Sequence, residues 1–459
     1  MSPPAALAGL APAQFVEPVD LPQDVDVVII GAGVAGLACA AHLRELDAAL
    51  RVLVLEADAR IGGRAMTVEV GGYLVDVGAG WIHGIDGNPL FEEGILELAD
   101  VQPCSAGNIW TAGPDPSDST NFHPSPEEFE SWRRRLRVLS EVVEEREGGG
   151  AQVDIAAELR RAGDGWSACD ERLLLGFELW LGAPASELLG GEWDPGARLG
   201  DFPGPHAVLK QGMPLVADRL LARCGGGCSV SLRVAVQGLT EDAEGVTLQL
   251  DCGGRDVELR CRHVVCTASL GSLQRSDAEG GLLAKVSPPL PASCRAALGR
   301  LRMSAYCKCI VVLCQSAAAS LPVWQWTDHC TFPLLFNYYP LLGKPVVACC
   351  AVNAADQTMD DEAVLSEALV ALQMDRAQVS AFHVTRWHST PWARGSYSFS
   401  PVGCDCCEID VLRAAVQDRK FIFAGEHMHE EHQGSLHGAY LSGKDAAQAV
   451  FTRRQRVEQ

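Results

Sequence analysis

The stretch that decides the fold of this 459-residue chain is Asp26-Val27-Val28-Ile29-Ile30-Gly31-Ala32-Gly33-Val34-Ala35-Gly36-Leu37. Its first part is an apolar run short enough for a buried strand, and it leads directly into Gly-x-Gly-x-x-Gly at the start of a helical pattern. A second apolar run, Val52 to Leu55, follows the helical stretch and ends in Glu56. Together these segments predict one complete βαβ unit.

The three glycines of this motif have separate mechanical roles. Gly31 allows a tight turn out of the strand, Gly33 lets backbone N–H groups approach a pyrophosphate, and Gly36 lets the helix pack closely on the sheet. The helix N-terminus would face the phosphates with unsatisfied N–H groups and the positive end of its dipole. Glu56 stands where a carboxylate can accept both ribose hydroxyls of an adenosine, and an acid there disfavours a 2′-phosphate. The unit therefore predicts FAD or NAD, not NADP.

Composition bounds the class of protein. The chain is 47% hydrophobic and 21% charged, as expected for a globular protein with two sizeable domains. A net charge of −22 argues against a nucleic-acid partner and is compatible with a cationic substrate. No apolar run approaches a membrane span, and no secretory or transit signal is evident. We expect a cytoplasmic protein with no membrane partner and no metal site, whose 18 cysteines are reduced thiols.

The residues after Glu56 favour FAD. Gly62-Gly63-Arg64 and then Gly78-Ala79-Gly80-Trp81-Ile82-His83-Gly84 resemble the flavin-containing amine oxidases. Further matches follow in chain order over nearly the whole sequence, and they are most specific at its two ends. Within that family the pattern resembles the FAD-dependent polyamine oxidases, in particular the back-converting spermine and N-acetylpolyamine oxidases. The later matching segments are Leu301 to Lys308, Gly395 to Ser398, and Gly425 to Gly443.

The resemblance implies an α/β protein with the two-domain flavin amine oxidase fold, in which a Rossmann-like FAD-binding domain is joined to a mixed α/β substrate-binding domain. Three β-type runs punctuated by turn residues predict a small antiparallel meander, at Ser229–Val236, Val246–Leu250 and Val257–Val265. We expect a discontinuous FAD-binding domain from residues 24–100, 205–285 and 404–459, a substrate-binding domain from 101–204 and 286–403, and a flexible segment at 1–23.

The resemblance also implies which residues hold the cofactor. Ser396 replaces the flavin-attaching cysteine that monoamine oxidases carry in this neighbourhood, so we expect non-covalent FAD. The expected cofactor-binding residues are Gly31, Gly33, Ala35, Gly36, Glu56, Arg64, Gly78, Ala79, Gly80, Trp81, Val234, Trp387, Gly425, Glu426 and Leu436.

Two residues are expected to be catalytic. In the family, a lysine in the position of Lys308 holds a water against N5 of the flavin. A buried amine beside an apolar run is costly unless paired, whereas the alternative is a strand-edge lysine that reaches solvent. His83 resembles the histidine that lines the active site of back-converting enzymes, and its alternative role is that of a hydrogen-bonded structural residue.

The substrate site is expected to be aromatic. Trp387 and Tyr397 match an aromatic wall whose faces can stabilise cationic amines. Some plant polyamine oxidases carry a tyrosine where Ser435 stands in this chain, so the aromatic pair would be incomplete there. Asp194 and Asp201 could bind distal ammonium groups, although both could equally be surface acids.

The implied activity is hydride removal from the carbon next to an amine of spermine, spermidine or an N-acetylated form. The products would be an aldehyde, a shorter amine and hydrogen peroxide, with oxygen as acceptor and a monomeric enzyme as catalyst. One alternative is a flavin-dependent lysine demethylase, but those enzymes carry a helical insertion and an added N-terminal domain that this sequence has little room for. The other is a flavin-binding protein without amine turnover.

Overall fold

The computed structural model describes residues 13–104, 124–146, 154–163, 165–188, 202–327, 329, 331–352, 358–401, 404 and 408–458. The α-helices in these residues are α1 (Val34–Leu46), α2 (Pro89–Glu92), α3 (Pro126–Arg146), α4 (Ile155–Arg161), α5 (Ala168–Leu181), α6 (Pro214–Cys224), α7 (Leu270–Leu273), α8 (Ala292–Arg300), α9 (Gln315–Ala319), α10 (Tyr339–Leu342), α11 (Asp361–Leu372), α12 (Glu408–Ala415) and α13 (Leu436–Glu458).

The strands in the same residues are β1 (Gln14–Phe15), β2 (Val25–Ile30), β3 (Val52–Glu56), β4 (Thr67–Val70), β5 (Tyr73–Asp76), β6 (Val101–Cys104), β7 (His206–Leu209), β8 (Cys228–Leu232), β9 (Ala235–Glu241), β10 (Val246–Asp251), β11 (Asp256–Cys266), β12 (Val286–Ser287), β13 (Arg302–Met303), β14 (Cys307–Leu313), β15 (Trp324–Trp326), β16 (Leu334–Asn337), β17 (Val346–Ala351), β18 (Val379–Val384), β19 (Ser398–Phe399) and β20 (Phe421–Phe423).

The predicted βαβ unit forms the centre of a nine-stranded sheet. Strand β2 pairs in parallel with β3 on one side and with β11 on the other, and all six of its residues are buried. A strand covered on both faces is expected to be continuously apolar, which explains the uninterrupted run before Gly31. Helix α1 packs against α13, so the last helix of the chain lies beside the glycine motif.

The predicted meander forms, but with a different first strand. Strands β9, β10 and β11 pair antiparallel, as expected. The run Ser229–Val236 divides at Arg233, whose φ is 58°, and its first part, β8, pairs in parallel with β3. A left-handed residue interrupts the extended backbone, so one apolar run supplies strands to two parts of the sheet.

A second sheet carries Lys308. Its order is β15-β16-β17-β14-β18, with every neighbouring pair antiparallel. Alternate residues of β14, including Cys309 and Val311, pack in one core with Val364 and Leu365 of α11. Because side chains alternate across a strand, Lys308 projects from the opposite face.

Two smaller expectations concern thiols and membranes. The 15 cysteines that the structure describes are all free, in agreement with the expected reduced thiols. Within the described ranges, no helix combines the length and the apolar composition that crossing a membrane requires.

Candidate active site

A cavity of about 830 Å³ runs from the glycine motif of the large sheet to the face of the second sheet that carries Lys308. Apart from Gly36, every predicted site residue that the structure describes lines this cavity. Gly36 lies beneath the motif instead. Asp194 and Asp201 lie outside the described residues. The lining includes Gly31, Gly33, Ala35, Glu56, Arg64, Gly78, Ala79, Gly80, Trp81, His83, Val234, Lys308, Trp387, Tyr397, Gly425, Glu426, Ser435 and Leu436.

The nucleotide end of the cavity has the features of a dinucleotide cradle. The buried Glu56 carboxylate accepts the N–H groups of Ala32 at 2.7 Å and Asp58 at 2.8 Å, which fixes its orientation. Burial raises the pKa of Glu56, and these two N–H donors partly oppose that rise. Gly33 caps α1 without a side chain, and a Cβ built on it would meet nothing within 4 Å. The helix N-terminus is therefore open to an anionic group.

An ion pair between Arg64 and Glu426 lines the cavity. Arg64 Nη1 donates to Glu426 Oε1 at 2.7 Å and to the Ser396 carbonyl at 3.2 Å. Glu426 also accepts the Gly434 N–H at 2.9 Å and the Ser398 hydroxyl. Burial by itself would raise the pKa of Glu426, but the charge of Arg64, the nearby His427 and the hydrogen bonds from Ser398 and Arg64 lower it below its ordinary value. Glu426 is thus a charged, oriented acid and not a solvated loop residue.

Lys308 is buried in the cavity wall, with 8% of its surface exposed, so it does not reach bulk solvent. Its Nζ donates to the carbonyl oxygens of Gly78 at 2.6 Å and Asp76 at 3.3 Å. Burial lowers the pKa of Lys308, whereas Cys350 and Asp76 act in the opposite direction. A lysine amine held this way can place a water or accept a proton at the adjoining cavity surface.

His83 is buried beside a second histidine. Its ring meets that of His206 edge-on, with the centroids 5.4 Å apart, and its carbonyl accepts the Phe202 N–H at 3.0 Å. Burial lowers the pKa of His83 well below its ordinary value, with further lowering from His206 and His437. The imidazole is therefore neutral at physiological pH.

Trp387 and Tyr397, the two residues predicted to form an aromatic wall, both line the cavity. Trp387 Nε1 donates to the Val77 carbonyl at 3.1 Å, and the Tyr397 hydroxyl donates to the Leu179 carbonyl at 3.3 Å. Ser435 serves a local structural purpose as well, since its hydroxyl accepts the Gly438 N–H at 2.9 Å near the start of α13. Tyr397 instead has Tyr306 as its aromatic neighbour, with the centroids 5.9 Å apart.

Several further residues line the cavity that sequence reasoning did not single out, among them five in or next to the strands of the second sheet. The Trp81 ring stacks on that of Trp324, with the ring centroids 4.9 Å apart, and meets Phe336 edge-on, with the centroids 4.4 Å apart. Phe336 in turn meets Tyr338 edge-on. Strand register places three of them: Cys350 pairs with Lys308 and Trp324 pairs with Phe336, so their side chains share the face of the second sheet that carries Lys308. The alternation within each strand could be read from the sequence, but the pairing between the strands could not. The five residues are Tyr306, Trp324, Phe336, Tyr338 and Cys350.

The cavity therefore joins the dinucleotide cradle to an aromatic chamber, an arrangement typical of a flavin-dependent oxidoreductase. The rings of this chamber are those of Trp81, Tyr306, Trp324, Phe336, Tyr338, Trp387 and Tyr397. The family model described as flavin containing amine oxidoreductase matches residues 34–451. The chain belongs to this family, whose cofactor is FAD, and it has the flavin amine oxidase fold.

Individual relatives are distant. Polyamine oxidase 1 of Oryza sativa subsp. japonica is 26% identical over 91% of this chain and 95% of its own length. Lysine-specific histone demethylase 1 homolog 1 of Arabidopsis thaliana is 25% identical over 94% of this chain but only 53% of its own length. A solved putrescine oxidase triple mutant, redesigned in cofactor binding, has a TM-score of 0.71 and 18% identity, covering 94% of this chain and 99% of that one.

Proposed function

We propose that this protein is a polyamine oxidase with non-covalently bound FAD, acting on spermine, spermidine or N-acetylated forms. The observation that carries the proposal is the placement of Lys308 in an aromatic chamber continuous with the nucleotide cradle. Relatives named as polyamine oxidases that align over most of both chains support the same assignment.

The residues of the cradle would hold the dinucleotide. Glu56 is oriented to accept ribose hydroxyls, and Arg64, paired with Glu426, would offset pyrophosphate charge. Ala35 in the first turn of α1 and Leu436 at the start of α13 both line the cavity, and unsatisfied N–H groups at helix N-termini can hold anionic groups. When bound, the flavin would supply the chemistry by accepting a hydride from the substrate and passing electrons to oxygen.

The chamber would bind and orient the amine. Ring faces of Tyr397 and Tyr306 attract the cationic part of a polyamine, while burial disfavours a proton on the reacting nitrogen. Lys308 would hold water at the cavity wall or relay a proton from its Nζ. His83, neutral and buried, would contribute hydrogen bonding and shape but no charge.

A demethylase-like activity is the second candidate, since relatives named as lysine-specific histone demethylases also match over more than nine-tenths of this chain at 25–27% identity. This chain spans only about half the length of those relatives.

The test is anaerobic bleaching of the flavin in the holoprotein. Spermine, spermidine, N1-acetylspermine, a monoamine and a methyl-lysine peptide are mixed separately with the protein, and the amine products are identified. We expect rapid bleaching by a polyamine. Bleaching by the methylated peptide alone would contradict the polyamine assignment and support the demethylase-like activity. Bleaching by none of the compounds would indicate a flavin-binding protein without amine turnover.

Lys308→Met tests the residue assignment in the same assay. We expect at least about a hundredfold slower flavin reduction or reoxidation, which is the range for loss of a positioned acid–base group. The matched control is Lys285→Met, because Lys285 is exposed and does not line the cavity. A Lys308→Met enzyme with unchanged rates in both half-reactions would remove Lys308 from the chemistry.

A further inference from the structure

Asp76 ends strand β5 immediately beside Lys308, and no role was assigned to it above. We propose that Asp76 is a positioning residue that acts through Lys308: its backbone fixes the place of Nζ, and its carboxylate stabilises the ammonium form. The inference rests on the role of Lys308 under the proposed function.

The geometry encloses the Lys308 amine. Nζ donates to the carbonyls of Asp76, the last residue of β5, and of Gly78, two residues further along the chain. A Cβ built on Gly80 would lie 3.0 Å from Lys308 Nζ and 3.9 Å from Asp76 Cβ. The amine is therefore packed against the segment that Asp76 begins, and a side chain at position 80 would crowd it.

The carboxylate of Asp76 is itself held rigidly. It is 6% exposed, and its Oδ1 accepts both the Met213 N–H at 2.9 Å and the Thr67 hydroxyl. Both hydrogen bonds go to the same oxygen. An asparagine whose amide oxygen takes that place would keep both bonds and remove only the charge.

The charged and titratable groups around Lys308 come from several strands. Asp76 faces it from β5 and Cys350 from β17, where Cys350 is the register partner of Lys308. Burial raises the pKa of Cys350, Tyr306 and Tyr338, so these three groups are neutral at physiological pH.

Asp76 is the carboxylate of this set. Burial raises the pKa of Asp76, while its hydrogen bonds from Thr67 and Met213, and then the charges of Lys308 and Lys344, lower it. A buried carboxylate near a buried amine favours the charged amine, because unlike charges interact strongly where water is excluded.

The experiment is a pH titration of the visible absorption of bound flavin in the holoprotein without substrate, in wild type, Asp76→Asn and Lys308→Met. A change in flavin absorption with pH that is present in wild type and absent in Lys308→Met reports the titration of the Lys308 amine. We expect Asp76→Asn to move this transition to lower pH by about one unit or more, since the ammonium loses its nearby opposite charge. Asp76→Ser, also neutral, serves if the asparagine variant does not fold.

Two controls separate this effect from a merely structural one. Thr67→Val removes one hydrogen bond to Asp76 but no charge, and we expect it to move the transition much less. In the Lys308→Met background, Asp76→Asn should leave the flavin spectrum unchanged across the pH range. An equal shift in Thr67→Val, an unshifted transition in the neutral variants, or no Lys308-dependent transition in wild type would each overturn the inference.

Failure of the inference is distinguishable from failure of the proposed function. The titration needs no amine substrate, so a protein that turns over no amine can still show the Asp76-dependent shift. Conversely, normal polyamine turnover with an unshifted transition would overturn the role of Asp76 alone.

Discussion

Arg64 Nη1 lies 2.7 Å from Glu426 Oε1, and this contact joins residues 362 positions apart in the sequence. The Glu426 side chain is 6% exposed and that of Arg64 22%. The pair therefore ties the segment after the first βαβ unit to the loop before the last helix, inside the cavity that would hold the cofactor.

Replacing Arg64 by methionine should destabilise the FAD-free protein by about 3 kcal/mol, because it leaves Glu426 buried without its partner. The pKa of Glu426 is lower in the folded protein than the ordinary value of 4.5. Its ionised form therefore contributes its full stabilisation above pH 4.5, and this stabilisation is lost as the pH falls through the pKa of the folded state. Urea unfolding at neutral pH and near pH 4 measures the difference. A destabilisation that does not shrink in acid would contradict this account.

Gly33 and Gly36 should fail differently when changed to alanine. A Cβ on Gly36 would lie 1.9 Å from the Gly31 carbonyl oxygen, so Gly36→Ala must push α1 off the sheet and should destabilise the apoprotein. Gly33→Ala meets no protein atom within 4 Å and has an ordinary backbone conformation, so the apoprotein should keep its stability and bind FAD weakly. Thermal unfolding and the flavin-to-protein absorbance ratio distinguish the two outcomes. Equal loss of stability in both variants would contradict the prediction.

Tyr397→Leu should raise the KM for polyamines about tenfold, because a leucine lacks the ring face that attracts an ammonium. The matched control is Tyr397→Phe, which keeps the ring and loses the hydroxyl that donates to the Leu179 carbonyl at 3.3 Å and interacts with Ser304. Steady-state oxygen consumption with spermine measures both. The substrate-wall assignment would be wrong if phenylalanine proved as harmful as leucine.

The fold should lose stability on mild acidification. Burial, the largest cause in each case, lowers the pKa of His206, His263 and His427 to about 4, against 6.5 for an ordinary histidine. Between these values the unfolded chain binds more protons than the native protein, so the free energy of unfolding falls as pH falls from 6.5 towards 4. Each fully shifted group contributes up to about 1.4 kcal/mol per pH unit. Urea unfolding of His427→Asn at pH 7 and pH 5 should show that the free energy of unfolding depends less steeply on pH, by the equivalent of about one proton. An unchanged pH dependence would exclude His427 as a source of the acid destabilisation.

Much of the fold could be predicted because its signals are local. The strand β2, the three glycines and the acid at the end of β3 lie within one short stretch, and their periodicity and steric needs hold whatever surrounds them. The run Ser229–Val236 was misread because periodicity cannot show a single left-handed residue such as Arg233.

Prediction of the site was uneven for a related reason. The motif residues and Lys308 carry sequence signals, whereas Asp76 and Tyr306 carry none that separates them from ordinary strand positions. Their contribution depends on pairing and packing between distant segments. The aromatic chamber in particular forms where β15, β16 and β17 bring Trp324, Phe336 and Cys350 to one face.

The sequence by itself determined the dinucleotide cradle and the class of cofactor, because a strand, three glycines and an acid in register suffice to specify backbone geometry. Only the tertiary structure decided what surrounds Lys308. Its amine meets the Gly78 carbonyl across 230 positions of sequence, and its charge depends on burial and on Asp76. Protonation in a water-excluded site is set by neighbours in space, which local sequence patterns do not encode.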